Sequence, residues 1–93
     1  MRISVEISFS FKHELDRAGL VLDLPEDADV EGALRVLVRR YPQIKTRLFT
    51  STGEVKRHIN ALVNGENVRF RRNFDTPLHD GDRLTLLPPV GGG

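Results

Sequence analysis

A chain of 93 residues has room for one domain with a thin core. Its hydrophobic share of 39% and charged share of 29% are those of an ordinary globular domain, which excludes a disordered or fibrous chain. Fourteen basic against thirteen acidic side chains leave a formal charge of +1, too even for a protein that binds nucleic acid over its whole surface. Cysteine is absent, which removes disulfides, thiolate metal sites and a side-chain sulfur nucleophile. Met1 to Phe11 alternates and lacks the continuous apolar stretch of a secretory leader. No apolar run approaches the ~20 residues of a membrane helix, so a cytoplasmic protein with no membrane partner is expected.

In chain order, Ile3, Val5, Ile7 and Phe9 alternate with Ser4, Glu6, Ser8 and Ser10, the period of a strand with one buried and one wet face. Phe11 to Gly19 reads as a polar connection. Leu20, Leu22 and Leu24 alternate again, and Pro25, which has no N–H to donate, halts the pairing. Asp29 suits a helix N-cap, and Val30, Ala33, Leu34, Leu37, Val38 and Tyr41 follow as one apolar stripe, with Arg35, Arg39 and Arg40 on the opposite side. Pro42 disfavours helical geometry at Tyr41 and ends the helix there.

Ile44, Leu48 and Phe49 suggest a short helical or irregular segment packed on the core, followed by a surface loop over Thr50, Ser51, Thr52 and Gly53. Ile59, Ala61 and Val63 make a third strand. Asn64-Gly65 supplies the positive φ angles of a tight turn, after which Val68 and Phe70 begin a short return strand. Asp80-Gly81-Asp82 is a second turn, Leu84 and Leu86 share one face of a last strand, and Pro88-Pro89 closes it. Two strands, one helix and a sheet completed afterwards describe an α+β domain with the helix across one sheet face.

Side-chain chemistry is sparse. His13, His58 and His79 are scattered without metal-ligand spacing, and Asp80 and Asp82 lack the twelve-residue frame of a calcium loop. The serines and threonines have no triad context. Arg69, Arg71 and Arg72, with Arg39 and Arg40, are candidates for local basic patches, better read as solvated faces. An aromatic RNA-binding face is not expected, because there is one tyrosine and most of the five phenylalanines fall on core-facing positions. No catalytic residue and no metal ligand is expected.

The stretch Asn64-Gly65, Asp80-Gly81-Asp82, Leu84 to Leu87, Pro88-Pro89-Val90 and Gly91-Gly92-Gly93 resembles the MoaD/ThiS family of ubiquitin-like sulfur carriers. Val63 to Phe70 is similar to the CysO type, which serves cysteine synthesis, and the Pro-Pro-Val ending to the molybdopterin branch. The third glycine, Gly91, departs from relatives that carry a side chain there. The resemblance implies a β-grasp fold: a mixed sheet of four to five strands with one main helix across it. Residues 1–87 would form the body and residues 88–93 a flexible tail.

The resemblance further implies that an E1-like enzyme adenylates Gly93 with ATP, and that a sulfur donor displaces AMP to leave a thiocarboxylate. The chain would be a protein co-substrate rather than an enzyme, with no stably bound cofactor. Its later partner would be a cysteine synthase or the large subunit of molybdopterin synthase. The residue types fit these mechanics. Gly91, Gly92 and Gly93 lack a Cβ and can thread a narrow channel, while Pro88 and Pro89 hold the lead-in through Val90 extended. Six residues beyond Leu87 reach roughly 20 Å at about 3.3 Å each. Leu87 should face away from Leu84 and Leu86 or lie at the sheet margin; with exposed Val90 it is a candidate contact for partners, or else it caps a minor core cluster, and Leu62 on the neighbouring strand has the same two roles open. The alternative with the same fold is a modifier joined through Gly93 to lysines of other proteins, and a β-grasp RNA-binding module is the more distant one.

Overall fold

The computed structural model describes residues 1–7, 20–56 and 59–87. Among the described residues are five strands: β1 (Arg2–Ile7), β2 (Leu20–Asp23), β3 (Asn60–Val63), β4 (Glu66–Asn67) and β5 (Arg83–Leu87). They form one mixed sheet in the order β2-β1-β5-β3-β4. The central pair β1 and β5 is parallel, and the other pairings are antiparallel. The two alternating runs at the start pair antiparallel as β1 and β2: Ile3 lies opposite Leu22 and Val5 opposite Leu20.

Helix α1 (Val30–Arg40) lies on one face of the sheet and buries Val30, Ala33, Leu34 and Leu37. Its start is set by Asp29, whose Oδ1 accepts from Gly32 N at 2.8 Å and so satisfies one of the free donors of the first turn. It ends where Pro42 requires: Tyr41 leaves helical geometry at φ −128°, ψ 76°. Val38 and Tyr41, read as part of the stripe, are half-buried at its margin. The basic side of α1 is not merely solvated. The Arg35 guanidinium pairs with Glu31 at 2.9 Å, donates to Gly53 O at 2.9 Å and lies over the Phe49 ring. Arg40 donates to Val21 O at 2.9 Å, which occupies an outward carbonyl of edge strand β2.

The unclear stretch after α1 is a 3₁₀ turn (Pro42–Ile44) running into a one-turn helix, α2 (Lys45–Leu48). Ile44, Leu48 and Phe49 all reach the core, as expected, and Phe49 bridges Val55 across the surface loop. Buried residues from β1, β2, β3, β5 and α1 form a single cluster, to which Ile59, Val68 and Leu78 add from the connections. No helix among the described residues is long and apolar enough to cross a membrane.

One expectation is corrected. The return strand is β4, Glu66–Asn67, and Val68–Phe70 is a 3₁₀ turn instead of its continuation. The physical reason is the Asn67 side chain, whose Oδ1 accepts from Arg69 N at 2.9 Å. This local bond, with Arg71 N donating to Val68 O at 2.9 Å, competes with the strand ladder and curls the chain away from it. Val68 still enters the core, but Phe70 does not: it is 83% exposed. The expectation that most phenylalanines face the core therefore fails at Phe70, holds at Phe49, and is half-met at Phe74.

Candidate functional site

Strand β5 is the middle of the sheet, held on one side by β1 and on the other by β3. Leu84 and Leu86 project to the helix side and are fully buried, which anchors the strand in the core. By the period of two, Arg83, Thr85 and Leu87 project to the other side, the face that α1 leaves uncovered. Leu86 pairs with Ile7 and with Ala61, and Leu87 pairs with Asn60. The described chain thus ends at the centre of the sheet, opposite the β3 start, with backbone pairing fixed up to Leu87.

On that uncovered face, Thr85 lies between Glu6 of β1 and Leu62 of β3. Leu62 is opposite Thr85 and Leu87 is opposite Asn60, so the two leucines are diagonal neighbours, at about 7–8 Å for this geometry. Both are half-buried. The structure therefore brings together the two residues expected from sequence to be docking candidates, on one face and beside the exit of the tail. Neither belongs to the buried core cluster. The expected tail residues Pro88, Pro89, Val90, Gly91, Gly92 and Gly93 lie outside the described residues, as do His13 and His58.

The opposite end of β5 is occupied by structural bonds. Gly81, at φ 87°, makes the turn, and Asp80 Oδ1 accepts from Arg2 N at 2.7 Å. Asp82 accepts from His79 N at 2.7 Å and from the Asn64 side chain at 2.9 Å, while Asn64 Oδ1 accepts from Arg83 N at 2.9 Å. Asn64 itself has φ 51° and Gly65 φ 87°, the pair of positive angles that the tight β3–β4 turn requires. These carboxylates close turns and face backbone donors. Among the described residues no group of three or more His, Asp or Glu side chains could hold a metal ion.

The residue that sequence reasoning missed is Phe70, with Arg69, Arg71 and Arg72 around it, all exposed. Its signal lay one step upstream, in an Asn at position 67 whose amide can end a strand by bonding the backbone two residues on.

Comparison with known proteins agrees with this architecture. A family model described as the ThiS family matches residues 9–93. Small archaeal modifier protein 3 of Haloferax volcanii is 33% identical over 93 residues, covering the whole of both chains. The sulfur carrier protein CysO of Mycobacterium tuberculosis is 42% identical over 59 residues, 61% of this chain and 63% of that one. The crystal structure of SAMP1 from Haloferax volcanii superposes with a TM-score of 0.86 at 31% identity and covers all of both chains. The fold is thus the ubiquitin-like β-grasp, and the relatives carry the names of carriers and modifiers. This chain belongs to the ThiS family of ubiquitin-like sulfur carriers and modifiers.

Proposed function

We propose that this protein is a ubiquitin-like modifier: residues 1–87 are the β-grasp domain that presents residues 88–93 to an E1-like enzyme, which adenylates Gly93. The carboxylate of Gly93 attacks the α-phosphorus of ATP and pyrophosphate leaves. A lysine amine of a target protein then displaces AMP and forms an amide. ATP belongs to the partner enzyme and no cofactor stays on this chain, whose working compartment is the cytoplasm. Gly91 and Gly92 thread the partner's channel, Pro88, Pro89 and Val90 form the extended lead-in, and Leu62 with Leu87 docks the body.

The observation that supports this reading is likeness to an archaeal modifier over the full length of both chains. The geometry suits it as well, because the two half-buried leucines lie beside the strand end from which the tail departs.

Sulfur carriage is the second reading, favoured by the 42% identity to CysO. It shares the first step and differs in the nucleophile: a sulfur donor displaces AMP and leaves a thiocarboxylate. The acceptor would then be a sulfur-accepting synthase, such as cysteine synthase or the large subunit of molybdopterin synthase.

The two are separated by mass spectrometry of a tagged chain expressed in its native host. A modifier leaves lysine-containing peptides that carry, after trypsin cuts at Arg83, a branch of Leu84 to Gly93. A sulfur carrier leaves the free chain heavier by one sulfur less one oxygen. Finding neither product would overturn both readings.

A further inference from the structure

Phe70 is the most exposed large hydrophobic side chain among the described residues, at 83%, against 48% for Val21. It is not at the tip of a loose loop. Val68, two residues before it, is buried, Asn67 caps the turn, and Arg71 N closes it onto Val68 O. Beyond it, Arg72 N donates to Thr76 Oγ1 at 3.1 Å, and Thr76 is fully buried. The ring is thus presented by a backbone fixed on both sides.

Its placement follows from register. Asn67 of β4 pairs with Leu62, and β4 runs antiparallel to β3, so the turn after Asn67 lies toward Asn60. Asn60 is the residue opposite Leu87, the last described residue before the tail. Phe70 therefore follows β4 toward the end of the sheet where β5 reaches Leu87, two strands across from it.

Arg69, Arg71 and Arg72 are exposed neighbours of Phe70 in the chain, and the Arg71 guanidinium takes up the Glu66 carboxylate at 2.9 Å. Aromatic and arginine side chains together are the composition enriched at protein interfaces, and a fixed aromatic anchor loses little conformational entropy on binding. A nucleic-acid surface would need several stacking platforms. Among the described aromatics, Phe49 is buried, and Phe74 and Tyr41 are half-buried.

We propose that Phe70, with the arginines beside it, is a second docking point for the adenylating enzyme, one that fills an apolar pocket rimmed by carboxylates next to the tail channel. This rests on the adenylation step common to both readings of function. The enzyme then holds the body at two places, the leucine pair on the open sheet face and the Phe70 knob at the β4 edge, so that the tail enters in one orientation.

The test is ATP–pyrophosphate exchange by the E1-like enzyme encoded in the same genome, with this chain as the varied substrate. Phe70→Ala should raise KM about tenfold with kcat unchanged, and Phe70→Leu should recover much of the loss. Arg72→Glu should raise KM as well, and the wild-type KM should climb with salt more steeply than that of Arg72→Glu. All three variants should melt with the wild type. Unchanged KM in Phe70→Ala and Arg72→Glu would overturn the docking point while leaving adenylation standing. So would a large loss of thermal stability in Phe70→Ala, which would make the ring structural, or tRNA binding by the wild type that Phe70→Ala abolishes. No exchange with the wild-type chain would instead reject the reading of function, and the docking point with it.

Discussion

Leu86 and Leu87 are neighbours in the chain and opposites in role. Leu86 is fully buried and touches the core under α1, whereas Leu87 lies half-buried on the open face. Leu86→Ala should lower unfolding free energy by about 2–5 kcal/mol, through lost burial and the cavity left behind, read as a lower midpoint in urea. Leu87→Glu should leave that midpoint near the wild type and raise KM for the adenylating enzyme, since a carboxylate would have to be desolvated in the contact. If Leu87→Glu unfolds the protein instead, the leucine pair is part of the fold and not a docking surface.

At the scale of elements, what holds the sheet in register is also what was easiest to read. The period of two in β1, β2 and β5 assigned Ile3, Val5, Leu22, Leu84 and Leu86 to one face, and each is buried there. It assigned Leu62 and Leu87 to the other face for the same reason. Asp29 and Pro42 bracketed α1 because both act locally, one by accepting a backbone N–H and the other by clashing with the residue before it. Asp29→Ala should therefore cost about 1 kcal/mol in a denaturation experiment, with no change in KM, because its carboxylate serves the first turn of α1 and none of the proposed docking contacts. Phe70 was misread because alternation over Val68, Arg69 and Phe70 matches a strand, while the bond that breaks the strand comes from the Asn67 side chain. Asn67→Ala removes that acceptor. It should loosen the turn, seen as faster amide hydrogen exchange at Arg69 and Arg71, and raise KM in the same direction as Phe70→Ala. The arginines of α1 were legible as charges, but not their partners: Arg35 reaches Phe49 and Gly53 only because the 49–55 loop folds back beside the helix.

The described residues make a small sheet-and-helix body in which β5, the strand before the tail, is paired on both sides and buried through Leu84 and Leu86. Pulling or positioning forces on the tail would be met by the core instead of by a frayed edge. Under the proposed function the body and the tail act in series: one provides docking contacts, the other the reactive group. Family membership was legible from the glycines and prolines of the last stretch together with the two turns, and the comparisons bear it out. Whether the activated end is passed to an amine or to sulfur was not legible, because both routes begin with the same adenylate and diverge only in the nucleophile that a partner supplies.

Gly93 is the proposed reactive residue, and the most direct measurement is ATP–pyrophosphate exchange by the E1-like enzyme with the full chain and with a chain lacking Gly93. The full chain should support exchange and the shortened one should not, while both melt at the same temperature. Equal exchange with both chains would contradict it.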